Sequence, residues 1–204
     1  MENKLDKEKT DELLKQIKQE IIDLKDSPLY DYRTKNKSFP VIGEGNHQAE
    51  IMFIGEAPGV NEAKTGKPFC GAAGRILTEM IESISLQRHN VYITNIVKDR
   101  PPYNRDPLPE EISIYAPFLD RQIEAIEPKV IATLGRYSMA YIMKKFGLEK
   151  ELKTISQIHG KVFDAIAPYG AIKIIPLYHP AVALYQNSLK EEMFKDFKVI
   201  KNYL

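Results

Sequence analysis

Short apolar runs rich in β-branched residues alternate with longer segments of helical period along most of this chain, and that alternation limits the possible folds more than any other feature. The runs at 50–54, 90–97 and 129–134 have the length of strands. Between and after them, 72–85, 110–126 and the stretch GRYSMAYIMKKFG, closed by Gly147, repeat apolar residues at helical steps. Strands separated by helices are the mark of βαβ units around a mainly parallel sheet with helices on both faces, which places the chain in the α/β class. KVFDAIAPYGAIKIIPLYHP then reads as two strands, 162–167 and 171–177, joined through PYG, and a last helix covers 190–203. Near the amino end, Leu5, Leu13, Leu14, Ile17, Ile21, Ile22 and Leu24 recur at helical intervals among charges, so 4–25 is expected to be an amphipathic helix packed by one face. The stretch DSPLYDYRTKNKSFPVIGEGN has prolines, glycines and no sustained period, and is expected to cross the surface as a loop. With no repeat or linker, 1–204 is read as a single domain.

Composition narrows the function classes. A formal net charge of +1 gives no global basic footprint of the kind that marks many nucleic-acid binders, so any such role must rest on local clusters. Lys98, Arg100 and Arg105 form one, in a proline-rich loop. The apolar runs are too short to span a bilayer, and MENKLDKEKTDELLKQ lacks the apolar core of a secretory signal; a cytoplasmic protein without membrane attachment is the expectation. A single cysteine, Cys70, excludes an internal disulfide and any site built from several thiolates of this chain.

In an open α/β sheet, ligands sit beyond the carboxyl ends of the strands. The first long strand ends in IMFIGEAPG, the second in Asn95 followed by KDRPPYNRDP, the third at Gly135, and the last in Tyr178-His179-Pro180. Polar groups far apart in sequence therefore meet in one cleft. Glycine after a strand often cradles phosphate, but Glu56 would repel an anion there, and no G-x-G-x-x-G or Walker loop is present. A ligand other than a nucleotide phosphate is expected.

Five blocks, GEAPGVNE, GKPFCGAAGRIL, TNIVKDRPPYNRDPLPEE, IEPKVIATLG and IIPLYHPAVAL, stand in the order and at the spacing found in the family 4 (type 4, thermophilic-type) uracil-DNA glycosylases, which the chain resembles over about residues 27–202. The resemblance implies the three-layer α/β/α glycosylase fold. It also implies a monofunctional enzyme that flips uracil out of single- or double-stranded DNA and hydrolyses its N-glycosidic bond, leaving an abasic site for base excision repair. Phe69 takes the place of the aromatic ring that stacks on uracil, Asn95 that of the amide that pairs with its edge, and His179 that of the donor to uracil O2. Gly55 and Ala57 would let backbone approach the base, with Ala57 where other uracil glycosylases have a water-orienting aspartate. Glu56 is the candidate to orient water or balance the sugar cation, and Glu62 resembles a carboxylate lining the pocket; either could instead bind loop N–H groups. Lys98, Arg100 and Arg105 are expected on DNA phosphates. HPAVALYQN resembles the intercalation loop, with Ala183, Leu184 or Tyr185 as the wedge.

Family 4 enzymes typically hold a [4Fe–4S] cluster on four cysteines, and the matching positions here are about Leu24, Ser27, Asp99 and Tyr115. Such a cluster needs thiolates, so none is expected, and no other cofactor or metal. Apolar packing of Leu24, Pro28 and Leu29 against Tyr115 is the expected replacement. Loss of the cluster also admits an alternative, a catalytically weak or inactive module that binds uracil or damaged DNA. The expected state is a monomer, and no contact with a sliding clamp is assigned.

Overall fold

A computed structural model describes residues 6–203 of the protein; residues 1–5, Leu5 among them, and 204 lie outside the described residues. Six strands form one sheet: β1 (Glu44–Gly45), β2 (Ile51–Gly55), β3 (Tyr92–Asn95), β4 (Val130–Leu134), β5 (Phe163–Ala167) and β6 (Gly170–Leu177), in spatial order β1-β3-β2-β4-β6-β5. The central pairs are parallel, whereas β1 and β5 run antiparallel at the two edges.

Register explains why the central strands read as continuous apolar runs. Ile93, Phe53, Ala132 and Ile175 lie side by side across β3, β2, β4 and β6 and point to one face. There they meet α4 (Ala72–Ser83) and α9 (Lys190–Ile200), with the Phe53 and Phe197 rings stacked at 5.5 Å; α3 (Val60–Thr65) and α7 (Ile155–Ile158) are short helices of six and four residues. One residue earlier, Tyr92, Met52, Ile131 and Ile174 make the matching row on the other face, against α1 (Lys7–Ile22), α5 (Pro109–Ile126) and α6 (Arg136–Lys145). Because side chains alternate along a strand, both rows are apolar only if both faces are covered, and the result is the three-layer α/β/α arrangement. No helix among the described residues is long and apolar enough to cross a membrane.

The stretch after α1 departs from the surface loop expected of it. It contains a short helix, α2 (Tyr30–Lys35), and the two-residue strand β1, and Ser27, Leu29, Arg33 and Val41 are buried. The reason is a polar latch. Arg33 Nη1 donates to both Asp99 carboxylate oxygens at 3.3 and 3.0 Å and to Ile21 O, while its Nη2 donates to Ile22 O, so one guanidinium holds the end of α1 to the segment after β3. Tyr115 of α5 donates its hydroxyl to Asp99 Oδ2 at 2.6 Å, and Ser27 Oγ lies 2.7 Å from the same hydroxyl.

Three of the four positions where the resemblance places cluster thiolates, Ser27, Asp99 and Tyr115, thus belong to one hydrogen-bonded group, and the fourth, Leu24, packs on the core beside it. Hydroxyl and carboxylate oxygens with a leucine do not fit a cluster that needs four thiolates. The residues there do not fit the group. Leu24 and Leu29 do share the apolar cluster of Tyr115, as expected, while Pro28 is exposed; what that expectation lacks is the polar and ionic part of the link. The latch is costly to break. Burial raises the Asp99 carboxyl above its ordinary value, against the lowering effect of Tyr115 and Arg33, so desolvation outweighs attraction and the group tolerates its charge only while its partners are present.

Asp99→Ala should therefore lower unfolding free energy in urea by about 3 to 5 kcal/mol by stranding Arg33, whereas Arg33→Met with Asp99→Leu should cost clearly less than the sum of the two single changes.

Candidate active site

The carboxyl ends of β2, β3 and β6 open into a cavity of about 630 Å³ whose lining includes Glu56, Ala57, Glu62, Phe69, Asn95 and His179. Its floor is the end of β2. Beyond that strand, Ile96 N–H donates to Gly55 O and Val97 N–H to Glu56 O, which carries the β2–β3 ladder two residues further and fixes the backbone from which the Glu56 side chain leaves. Gly55 is required by crowding: a Cβ there would lie 2.3 Å from Asn95 Oδ1 and 2.6 Å from Phe69 Cζ. The wall of the pocket is built against a missing side chain.

Phe69 is buried and has φ 47, a left-handed conformation that a large aromatic residue rarely adopts. Two contacts hold it. Glu62 Oε1 accepts from the N–H groups of Cys70 and Gly71, both at 3.0 Å, and so clamps the loop just after the ring. Gly74, in the first turn of α4, lets the Phe69 carbonyl approach so closely that a Cβ would lie 1.7 Å from its oxygen. Glu62 thus binds backbone in the loop that carries Phe69 and also lines the cavity, so its position is compatible with both roles that the sequence offers it. Cys70 is exposed, with Sγ 3.3 Å from Thr65 Oγ1.

Asn95 is 2% exposed, and its Oδ1 has no hydrogen-bond partner, one of two such atoms among the described residues. An unmet buried carbonyl costs about 1 to 3 kcal/mol, which points to a ligand that supplies the missing donor. His179 lies across from Phe69, with ring centroids 5.6 Å apart. Its Nδ1 accepts from Ala181 N–H at 3.2 Å, which puts the proton of the neutral ring on Nε2. Burial pushes the imidazole down to about 4, with Glu62 opposing, so at neutral pH His179 is an uncharged donor.

Glu56 is half-buried, and its carboxyl is pushed up to about 7 by burial first and then by Asp106, against the opposing effect of Arg136. Asp106 accepts from Arg136 Nη2. This ion pair beside Glu56 was not legible in the sequence: Asp106 stands in a distinctive block, but its partner Arg136 is 30 positions away and nothing in the sequence pairs the two.

The cation cluster divides. Lys98, expected on a phosphate, is fully buried; its Nζ donates to Asn95 O at 2.6 Å, Gln122 Oε1 at 2.6 Å and Thr94 Oγ1 at 2.7 Å, so it braces β3 from inside and does not reach DNA. Arg105 stands at the rim of the cavity, but its guanidinium is engaged by Glu111 at 2.9 and 2.5 Å. Arg100 binds Asn104 Oδ1 at 2.6 Å through Nε. In the expected wedge segment, α8 (Val182–Tyr185), Ala183 faces the core and is not available, while Leu184 is 43% and Tyr185 86% exposed at the cavity's edge.

Residues 42–201 match the family described as the uracil DNA glycosylase superfamily. A type-4 uracil-DNA glycosylase of Sulfurisphaera tokodaii is 48% identical over 189 residues, covering 92% of this chain and 83% of the relative. The chain belongs to the type-4 uracil-DNA glycosylase family. Another type-4 uracil-DNA glycosylase, from Archaeoglobus fulgidus, is 51% identical over 166 residues, covering 81% of this chain and 82% of the relative. A type-5 uracil-DNA glycosylase of Thermus thermophilus is similar at 33% identity over 126 residues, covering 54% of this chain and 57% of the relative. Among the described residues of this type-4 chain, no group of three or more His, Cys, Asp or Glu is placed to hold a metal ion.

Two outcomes follow for the folded protein. The Glu56 carboxyl binds its proton more tightly folded than unfolded, so its contribution is fully present below about 4.5 and is lost as pH rises through about 7. Glu56→Gln should accordingly match the wild type in chemical denaturation at pH 4 and exceed it by about 1 to 2 kcal/mol at pH 8.5, the full shift being reduced by solvent screening. Gly74→Ala should displace the Phe69 carbonyl and lower kcat/KM by about 100-fold or more on a uracil-containing oligonucleotide, a larger loss than its effect on the thermal midpoint explains.

Proposed function

We propose that this chain is a monofunctional uracil-DNA glycosylase that receives a flipped uracil between Phe69, Asn95 and His179 and hydrolyses its bond to deoxyribose. The observation that carries the reading is the buried, unpartnered Asn95 Oδ1 beside the Phe69 ring. Uracil offers N3–H to that oxygen and O4 to the amide's N–H groups. Cytosine presents the reverse pattern at the same edge and would leave both amide groups unmet, which is the most effective form of rejection a pocket can build.

Stacking on Phe69 holds the base flat while the C1′–N1 bond stretches. The bonding pair moves into the pyrimidine ring, and negative charge accumulates on O2, where Nε2–H of His179 donates. A neutral donor that keeps its proton strengthens this hydrogen bond as charge grows, and such a donor typically contributes about 3 to 4 kcal/mol to the transition state. Positive charge grows on the sugar at the same time. In this reading Glu56, which lines the cavity, acts as a carboxylate to balance that charge, orient a water toward C1′ and accept the proton the water loses as the C1′–O bond forms. Ala57 supplies no group for this step. DNA reaches the pocket across the rim formed by the 100–105 loop and by Leu184 and Tyr185. The protein acts in this reading as a monomer.

The deciding experiment incubates the protein with single- and double-stranded oligonucleotides containing one uracil, then cuts abasic sites with hot alkali. The wild type should cleave both at the uracil, and His179→Ala should lower the single-turnover rate by about 100-fold or more while changing DNA affinity little. Binding without cleavage would instead identify a recognition module, and absence of DNA affinity at low salt would refute the reading. The pH profile adds an independent check: kcat/KM should rise toward a plateau above about pH 7 as Glu56 ionises, with no limb from His179 between pH 5 and 9. Asp106→Asn should move the rising limb to lower pH, because removing a neighbouring negative charge eases ionisation of Glu56.

A further inference from the structure

Tyr103 is the most exposed large hydrophobic residue described, at 92%, and it stands in the proline-rich loop between Pro101 and Asn104, both of which line the mouth of the cavity. Its backbone is left-handed, φ 58 and ψ 19, and the next residue, Asn104, is left-handed as well, φ 55. Two consecutive non-glycine residues in that region are strained, and an aromatic side chain at the first is a poor choice unless the ring has a use. Glycine would adopt the same turn freely, and at 92% exposure the ring gains the folded chain little burial in return.

The strained turn is also held firmly. Asn104 N–H donates to Pro101 O at 3.2 Å and Arg105 N–H to Pro102 O at 3.1 Å, the Asn104 side chain accepts from Arg100 Nε, and Arg105 is forked onto Glu111 of α5. At its root the loop is fastened through Asp99 to Arg33 and Tyr115. A ring on so rigid a mount loses little conformational freedom when it is covered. The same cavity is also lined by the exposed Tyr185 and Leu184.

We infer that Tyr103 is a DNA-binding residue that stacks on the face of a nucleobase flanking the flipped uracil. The inference rests on the glycosylase reading above for the identity of the ligand, but on separate residues. A phenol ring suits any base because each has a π face, so the contact adds affinity without sequence preference. It also differs from a phosphate contact in releasing no counterions.

The test measures binding to a duplex holding a tetrahydrofuran abasic-site analogue, by fluorescence anisotropy over a series of salt concentrations. Tyr103→Ala should raise Kd roughly tenfold or more with an unchanged salt slope, and Tyr103→Phe should restore binding to within about twofold. Tyr103→Gly should weaken binding as alanine does while its thermal midpoint stays at or above that of the wild type, since glycine relieves the strained turn. That variant guards against a loss of binding caused by misfolding. Wild-type affinity in Tyr103→Ala, a reduced salt slope, or failure of phenylalanine to restore binding would overturn the inference while leaving the pocket chemistry intact. If the wild type neither bound the abasic duplex nor released uracil, the glycosylase reading itself would fall.

Discussion

The ammonium group of Lys98, sealed inside the protein and met by the Asn95 carbonyl, the Gln122 amide oxygen and the Thr94 hydroxyl, is the interaction on which the rest of the site depends. Three short bonds match its three protons, and no carboxylate shares the space. Burial lowers the lysine well below its ordinary value, and the oxygens around it are what keep an amine tolerable there. Gln122 extends the network by donating to Ile42 O and Tyr92 OH, and Lys98 O accepts from Val41 N–H, so the chain on either side of β3 is fastened to α5 and to the 41–42 segment. Asn95 is thereby placed to within a hydrogen bond's tolerance before any ligand arrives.

One residue further on, Asp99 is fastened by Arg33 and Tyr115, so two consecutive polar side chains after β3 both point inward. The chain then leaves the core at Arg100 and turns through Pro101 and Pro102 into the strained pair Tyr103–Asn104. Pocket wall and rim are therefore not independent parts. A disturbance at Asp99 reaches the amide that meets the base on one side and the loop that borders the cavity on the other, both within four residues along the chain. Such coupled polar groups are worth more together than pairwise deletions suggest.

Much of this was legible in the sequence, for a physical reason. Strands covered on both faces must be apolar at successive positions, so β2, β3 and β4 announce themselves, and the polar residues that end them mark the cavity. Asn95 and His179 were readable because each ends or follows such a run, whereas Phe69, in the GKPFCG stretch between two helices, was marked by the resemblance alone. β1 was not, since two residues carry no period. Lys98 was misread because a lysine stem is long enough to reach inward or outward, and only the position of Gln122, 24 residues away, decides which. The latch was legible only in part: the resemblance brings Ser27, Asp99 and Tyr115 together, but nothing marks Arg33, 66 positions from Asp99, as the cation that joins them. Nor does any glycine advertise the left-handed turn at Tyr103.

The latch has a consequence for how the protein comes into being. A joint made of a guanidinium, a carboxylate and two hydroxyls is finished at the moment the chain folds, with no atom to be delivered and no assembly partner to wait for. What would loosen it is a change of protonation or of solvent, never of oxidation state, because none of its four side chains exchanges electrons under ordinary conditions. The loop at the cavity mouth is thus held by parts that are copied whenever the gene is copied.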